Sequence, residues 1–223
     1  MGFIETFRDQ RTRPALYLIT DRNLCPDGLV AAVKDAVRAG VRFVQLREKD
    51  LGGRALLRLA VELRAVTGEY GAGLIINDRV DVVLASGADG VHLGRSSMSP
   101  GDARALLGIA RLIGVSAHSV AEASDARDDG ADFITFGPVY HTRSKAGYGP
   151  PVGLALLSEA ARSVDIPVYG LGGIDAARVR EVMGAGVAGV AAISAVLGGV
   201  DVAGRTGALV KGIEDSTNNE ETK

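Results

Sequence analysis

The run from Val44 to Asp50 places two cations and an amide at the polar end of an apolar segment. If it forms a strand, Gln45, Arg47 and Lys49 face one side, because the side chains of a strand alternate with a period of two. Two cations and an amide on one face can bind an anion. An isolated strand of this kind more often runs out into a solvated charged turn. The choice depends on which other polar strand ends lie nearby.

The composition limits the class of protein. A chain of 223 residues with 47% apolar and 23% charged residues is typical of a soluble globular protein, and it is long enough for a single all-parallel barrel. With no Trp and few aromatics, the core is expected to consist mainly of Ala, Val, Leu and Ile. The net charge of -2 gives no general attraction to nucleic acid or to membranes, so an anion site must be local.

Cysteine usage and hydropathy bear on location. The one cysteine, Cys25, excludes an internal disulfide and a cysteine cluster for zinc. No signal-like apolar stretch opens the chain, and no window approaches 18 uninterrupted apolar residues. We therefore expect a cytoplasmic protein without a membrane or nucleic-acid partner. The sequence does not specify an oligomeric state.

Four glycines recur at intervals of roughly 45 residues, a spacing typical of an internal repeat. Gly40, Gly87, Gly130 and Gly186 each follow a helical pattern and precede an apolar run. Each repeat holds two strand and helix pairs, so the pattern predicts an α/β fold, a single-domain (β/α)8 TIM barrel. An open doubly wound sheet would usually begin with a G-x-G-x-x-G turn, which the sequence lacks.

The same pattern sets the predicted boundaries. The barrel spans 15–210, after an N-terminal extension at 1–14 and before a disordered C-terminal tail at 211–223. The predicted strands are 15–20, 41–46, 74–76, 90–93, 112–115, 133–136, 167–171 and 189–193. The predicted helices are 29–39, 51–66, 80–85, 102–107, 120–128, 154–163 and 176–183.

In a parallel barrel the C-terminal strand ends open on one rim, where active sites are built. The polar or glycine-rich residues predicted there are Asp21, Gln45, Arg47, Lys49, Asn77, Asp78, His92, Ser116, His118, Thr142, Ser144, Lys145, Gly172, Gly173 and Ser194. This convergence favours the anion site over the solvated turn. Three cations, Arg47, Lys49 and Lys145, exceed what one phosphate monoester needs and suit a diphosphate.

Several of these residues have two interpretations. Gly172-Gly173 and Ile193-Ser194 could offer backbone N–H groups to a phosphate, or form tight turns. Asp78 could hold Mg²⁺ through one carboxylate, or cap the next helix.

The basic residues near the rim are equally ambiguous. His92 and His118 could be general bases, although a histidine beside an apolar strand is more often a hydrogen-bonded structural residue. Arg79 is expected to pair with a neighbouring carboxylate.

The motifs together resemble the thiamine-phosphate synthase family over 16–197. They are Leu-Tyr-Leu-Ile-Thr-Asp at 16–21, Gln-Leu-Arg-Glu-Lys at 45–49, Ile-Asn-Asp-Arg at 76–79, Gly-Val-His-Leu-Gly at 90–94, Gly-Pro-Val-Tyr-His-Thr-Arg-Ser-Lys at 137–145, Gly-Leu-Gly-Gly-Ile at 170–174 and Ile-Ser at 193–194. The resemblance implies a transferase that joins hydroxymethylpyrimidine diphosphate to a thiazole phosphate, releasing pyrophosphate and forming thiamine phosphate.

The resemblance also implies roles for individual residues. The diphosphate would be held by Arg47, Lys49, Asn77, Ser116 and Lys145, with Mg²⁺ at Asp78. Gln45 would lie near the pyrimidine, and Thr142 and Ser144 in a loop over the substrates. The thiazole phosphate would meet backbone groups of Gly173, Ile193 and Ser194. The implied partners are small phosphorylated molecules.

One departure leaves two alternatives open. Ser97 stands where the family usually has a second metal-binding aspartate. A thiazole tautomerase of the same barrel family would instead use a histidine, here His118, for proton transfer. A third alternative is a barrel that only binds a thiamine precursor. The synthase is favoured because a tautomerase has no diphosphate to hold, yet the diphosphate residues are present.

Overall fold

The computed structural model describes residues 2–142 and 150–218, apart from the side chain of Asn218, as one closed barrel of eight parallel strands. The strands are hydrogen-bonded in sequence order, and β8 pairs with β1 to close the barrel. They are β1 Leu16–Ile19, β2 Phe43–Leu46, β3 Gly73–Asn77, β4 Gly90–Leu93, β5 Leu112–Ala117, β6 Phe133–Phe136, β7 Val168–Leu171 and β8 Gly189–Ala192. The predicted (β/α)8 barrel is confirmed.

Helices cover the outside of the barrel, except for the first one, which lies at one end of it. They are α1 Phe3–Arg8, α2 Leu29–Arg38, α3 Gly53–Glu69, α4 Val80–Ser86, α5 Pro100–Leu107, α6 Val120–Asp128, α7 Gly153–Ser163, α8 Val179–Met183, α9 Ser194–Leu197 and α10 Val202–Asn218. The helix predicted at 176–183 begins only at Val179, because Asp175 accepts hydrogen bonds from the N–H groups of Ala177 and Arg178 in a turn. None of the helices in the described parts of the chain is long and apolar enough to cross a membrane.

The four repeated glycines have the backbone conformation that the prediction required. Their φ angles are +117° at Gly40, +69° at Gly87, +91° at Gly130 and +83° at Gly186. A side chain strongly disfavours this left-handed region, which glycine enters freely. The residues that follow Gly40, Gly87 and Gly130 each donate their N–H to the carbonyl of the residue five positions earlier. This hydrogen bond is typical of a Schellman motif at the end of a helix. The glycines thus end each helix and direct the chain into the next strand.

A second element of the repeat is an aspartate at a strand start, which the sequence prediction did not single out. Asp89 accepts a hydrogen bond of 2.8 Å from the Leu74 N–H and pairs with Arg64 at 3.4 Å. Asp132 repeats the arrangement with the Ile113 N–H at 2.7 Å and with Arg104. Burial raises the pKa of Asp89 above its ordinary value. These aspartates tie β4 to β3 and β6 to β5 at the end of the barrel opposite the rim.

The core has two layers of different chemistry. The layer between strands and helices consists mainly of Ala, Val, Leu and Ile, as expected from the composition. The barrel interior instead concentrates six of the chain's ten Phe and Tyr residues: Phe3, Phe7, Tyr17, Phe43, Phe133 and Tyr169. The ring centroids of Tyr17 and Phe43 are 4.0 Å apart. Large rings fill the wide interior, where residues of successive strands converge.

The N-terminal extension forms part of this interior. Helix α1 inserts Phe3 and Phe7 beneath the strand starts, and the Phe7 ring lies 5.1 Å from that of Phe43. The Arg13 Nε donates to the Phe7 carbonyl at 2.8 Å, and the Tyr169 hydroxyl donates to the Pro14 carbonyl at 2.8 Å. The segment 2–14 is therefore a plug that closes the barrel opposite its rim.

The C-terminal prediction needs a correction. Residues 211–218, expected to be disordered, form the end of α10, and residues 219–223 lie outside the described part. Leu209 and Ile213 are 1% and 6% exposed, and α10 packs against α2 and α8. An amphipathic pattern is present in the sequence of this segment, with helical spacing of Val202, Thr206, Leu209 and Ile213. The polar residues between them made the segment look like a disordered tail.

Replacing Phe7 with alanine should destabilise the protein by about 3–5 kcal/mol, because the ring is 2% exposed and surrounded by other rings. Urea denaturation measures the loss, and Val200→Ala is the control because Val200 is 93% exposed. The folded variant should keep its activity, since α1 lies opposite the rim. Equal stability of the two variants would contradict the role of α1 as a plug.

Candidate active site

The C-terminal strand ends surround a central cleft of about 460 Å³ over the barrel axis. It is lined by Ile19, Gln45, Arg47, Lys49, Asn77, His92, Gly94, Arg95, Ser96, Ser116, His118, Thr135, Leu171 and Ile193. A second cleft of about 270 Å³ shares Lys49 and Asn77 with it and also contains Asp78 and Ser97. A third, of about 290 Å³, contains Thr142, Gly172, Gly173, Ile193 and Ser194.

The structure thus groups the predicted site residues at one mouth. Gln45, Arg47 and Lys49 share the central cleft, whereas Leu46 and Glu48 do not line it, as the alternation predicted. Asn77, Ser116 and His118 join them there. Lys145 and Ser144 lie outside the described residues.

A buried carboxylate fixes the end of β2. Glu48 is 6% exposed and accepts the Thr20 hydroxyl at 2.7 Å and the Arg22 N–H at 3.1 Å. The Thr20 oxygen in turn accepts the Arg47 N–H at 2.9 Å. Arg22 also bonds Asp50, and this guanidinium lowers the pKa of the Asp50 carboxyl below its ordinary value. The backbone of Arg47 is therefore held by side chains that face away from the central cleft.

A buried polar chain forms the floor of the cleft. Gln45 Nε2 donates to the Tyr17 hydroxyl at 2.8 Å, which lies 3.5 Å from His92 Nδ1. His92 Nε2 lies 3.0 Å from Ser116 Oγ and 3.3 Å from Thr135 Oγ1. Burial raises the pKa of Tyr17 well above its ordinary value, so its hydroxyl stays protonated. These contacts support the structural interpretation of His92, which orients Ser116.

Asp78 has a backbone conformation that is uncommon for a residue with a side chain. Its φ is +67°, the one positive value at a non-glycine residue among those described. Aspartate tolerates this region better than most residues. Helix α4 has Arg79 as its N-cap and no side-chain cap bond, so Asp78 does not cap it. Arg79 pairs with Asp81, with Nε 2.8 Å from Oδ1, as predicted.

The donors around Asp78 fit a metal ion only in company with substrate oxygens. Within 2–142 and 150–218, no group of three or more His, Cys, Asp or Glu residues could hold a metal. The Ser97 hydroxyl, at the position of the usual aspartate, accepts the Gly94 N–H at 2.8 Å. Mg²⁺ is commonly bound through one or two carboxylates plus substrate phosphates. Asp78 could supply the single carboxylate of such a site.

Arg95 is a site residue that the sequence prediction missed. It lines the central cleft with Arg47 and Lys49, on the turn closed by the 3.0 Å bond from the Ser97 N–H to the Gly94 carbonyl. Arg95 directly follows the Gly-Val-His-Leu-Gly motif at 90–94, and this position at a strand end could have indicated that it lies at the rim. Three cations from described residues therefore surround this part of the mouth.

The glycine pair after β7 is tightly packed. Gly172 and Gly173 have φ angles of +105° and +68°, and a Cβ on Gly173 would lie 2.8 Å from that of Tyr140. No side chain fits at either position without strain. Ile193 and Ser194, after β8, line the same cleft. Two short turns thus present backbone at one wall of the mouth.

The comparisons with known proteins agree with this geometry. The thiamine monophosphate synthase family matches residues 16–196. The chain belongs to that family. It is 52% identical over 207 residues to a putative thiamine-phosphate synthase of Geobacter sulfurreducens, covering 92% of this chain and 97% of the relative. It is 44% identical to the thiamine-phosphate synthase of Roseiflexus castenholzii, covering 88% and 87%.

A solved structure matches as well. The thiamine phosphate pyrophosphorylase of Pyrococcus furiosus superposes with a TM-score of 0.86 and 38% identity, covering 93% of this chain and 99% of the other. The family resemblance inferred from the motifs is therefore confirmed.

Thr20→Val should destabilise the protein by about 1–3 kcal/mol, because it leaves Glu48 and the Arg47 N–H without the hydroxyl that joins them. Thr206→Val is the matched control. Thr206 is also fully buried, but its hydroxyl has no hydrogen-bond partner in the described structure, so the change should be neutral or stabilising. Urea denaturation of both variants measures the difference, and equal losses would refute the role of Thr20.

Proposed function

We propose that the chain is a thiamine-phosphate diphosphorylase, a transferase that joins hydroxymethylpyrimidine diphosphate to hydroxyethylthiazole phosphate and releases pyrophosphate. The observation that carries the proposal is that a cleft lined by cations and a cleft lined by glycine-rich turns, two surfaces suited to anions, share one mouth. Arg47, Lys49 and Arg95 surround the central cleft, and the glycine-rich turns lie beside it. Two phosphorylated substrates require two such surfaces, and family membership supports the assignment.

The proposed roles of the described residues rest on their placement and on the family, and those of Ser144 and Lys145 rest on the family alone. Arg47, Lys49 and Lys145, with Asn77 and Ser116, hold the diphosphate. Gln45 lies near the pyrimidine, and Thr142 and Ser144 belong to the loop over the substrates. Gly173, Ile193 and Ser194 bind the thiazole phosphate.

The reaction needs charge stabilisation more than proton transfer. The bond from the pyrimidine methylene carbon to the diphosphate oxygen breaks with its electron pair on oxygen, and the thiazole nitrogen lone pair forms the new carbon–nitrogen bond. Charge therefore accumulates on the leaving diphosphate, beside Arg47 and Lys49. Positioned cations in a cleft stabilise such charge without reorganising. Asp78 would hold Mg²⁺, which would supply further positive charge to the leaving group.

The tautomerase alternative rests on one feature of the mouth. His118 lines the central cleft, and its Nδ1 lies 3.2 Å from Glu122 Oε2, which also accepts the His118 N–H at 2.7 Å. A histidine oriented by a carboxylate can transfer a proton. The cations beside it favour the synthase, because a tautomerase has no diphosphate to hold. A cytoplasmic location, which the lone Cys25 fits, completes the proposal.

The protein, given both substrates and Mg²⁺, should form thiamine phosphate and pyrophosphate in equal amounts. Lys145→Ala should lower kcat/KM by roughly 100-fold, the usual cost of losing one transition-state contact. His118→Ala should change it only a few-fold, because the reaction needs no strong base. Coupled pyrophosphate release measures both variants.

A larger loss of activity in His118→Ala than in Lys145→Ala, together with conversion of the thiazole carboxylate phosphate tautomer, would identify a tautomerase. Binding of a precursor with neither conversion would identify a non-catalytic barrel.

Ser97→Asp should lower the Mg²⁺ concentration that gives half-maximal activity, because it restores a second carboxylate beside Asp78. An aspartate can also accept the Gly94 N–H that Ser97 accepts now. Ser96→Asp is the matched control, since Ser96 lines the same cleft and gains the same charge. If the Mg²⁺ concentration for half-maximal activity is unchanged in Ser97→Asp, or falls equally in both variants, no metal is held between positions 78 and 97.

A further inference from the structure

Two arginines border the cleft of the glycine-rich turns and bind the backbone of those turns. Arg178 Nη1 donates to the Gly173 carbonyl at 2.7 Å. Arg205, from α10, donates through Nη2 to the Ser194 carbonyl at 2.8 Å and through Nε to the Ala195 carbonyl at 3.1 Å. Both side chains line the third cleft. Each of the two turns is thus held by one guanidinium.

These bonds orient the N–H groups of the turns. In a trans peptide the C=O of one residue and the N–H of the next point in opposite directions. A guanidinium on the Gly173 carbonyl therefore fixes the Ile174 N–H, and one on the Ser194 carbonyl fixes the Ala195 N–H. The Tyr140 N–H, 3.0 Å from the Gly172 carbonyl, fixes the Gly173 N–H in the same way.

The three N–H groups oriented in this way are available as donors. Gly173, Ile174 and Ala195 all line the third cleft. Across 2–142 and 150–218, no backbone or side-chain acceptor is bonded to their N–H groups. Backbone N–H groups that converge on a cleft are a common way to bind phosphate.

Arg178 is itself held in place. Its guanidinium carbon lies 4.7 Å from the centroid of the Tyr140 ring, and the Tyr140 hydroxyl donates to Glu181. Burial, together with Glu181, raises the pKa of Tyr140 to about 12, so the hydroxyl remains a donor at neutral pH. The ring, the carboxylate and the guanidinium thus fix one another beside the Gly172-Gly173 turn.

The charge of the two arginines remains available to an anion. Within the described ranges neither Arg178 nor Arg205 forms an ion pair with a carboxylate, in contrast to Arg180 on the same helix, which lies 3.8 Å from Asp215. Both side chains are exposed, so solvent and salt screen their field at a distance. A phosphate bound in the cleft would lie close enough to interact with it.

We infer that Arg178 and Arg205 are positioning residues of the phosphate-monoester site, acting by orienting the N–H groups of both turns and by adding positive charge. The inference rests on the proposed function for the identity of its substrate, hydroxyethylthiazole phosphate. It predicts that the two arginines set the affinity for this phosphate and not the affinity for the diphosphate substrate.

The test compares Arg178→Met, Arg205→Met and the control Arg180→Met. Each of the first two should raise KM for hydroxyethylthiazole phosphate by roughly 5- to 30-fold, the range expected for weakened charge-assisted contacts. KM for the diphosphate substrate should change less than twofold and kcat less than threefold. Arg205→Lys should recover part of the affinity, since it restores the charge and one donor. Thermal melts verify that each variant is folded.

Titration calorimetry with hydroxyethylthiazole phosphate, and with inorganic phosphate as a probe, separates this inference from the synthase assignment. Tenfold weaker binding in Arg205→Met would support it even if no thiamine phosphate is formed. Unchanged affinity, equal changes in KM for both substrates, or the same effect from Arg180→Met would overturn it. Wild-type protein that binds neither phosphate compound would overturn it as well.

Discussion

Closure of the parallel sheet is the constraint on which the site depends. The register of β1 with β8, in which Tyr17 faces Ala191, joins the first and last strands and leaves no open edge. Because all eight strands run the same way, their carboxyl ends meet at one mouth. Residues as far apart in the chain as Arg47 and Ser194 therefore border connected clefts. In an open sheet with the same local structure, the clefts after β2 to β4 and those after β7 and β8 would lie toward opposite edges.

Closure also separates apolar from polar layers along the barrel axis. The end opposite the mouth is filled by rings, with Phe7 of α1 against Phe43 and Phe133. Above them lies the buried polar chain from Gln45 through Tyr17 to His92 and Ser116. Each buried polar group in this chain has a partner, which avoids the cost of an unsatisfied donor or acceptor. The packed lower half thus gives the polar floor a fixed geometry.

The charges at the mouth are asymmetric. On the side of β2 to β4, the side chains of Arg47, Lys49 and Arg95 line the central cleft. Asp78 lines the adjoining cleft, where the Ser97 hydroxyl accepts a hydrogen bond from the backbone. On the side of β7 and β8, the wall consists of the backbone of two turns and of Arg178 and Arg205, whose guanidiniums bond to that backbone. Under the proposed function, the side-chain cations stabilise the charge that develops on the leaving diphosphate, and the backbone of the two turns binds the other phosphate.

The sequence by itself determined the barrel and most of its rim. The glycines at 40, 87, 130 and 186 revealed the repeat because only glycine enters the left-handed region without strain, and alternation placed Gln45, Arg47 and Lys49 on one face. Only the tertiary structure decided which contacts form between distant segments of the chain. The insertion of Phe7, the contacts of His92, the place of Arg95 and the bonds from Arg178 and Arg205 to two turns all join residues far apart in the chain or on different elements. Periodicity reports the face on which a residue lies, but the partner it meets there depends on how the whole barrel closes.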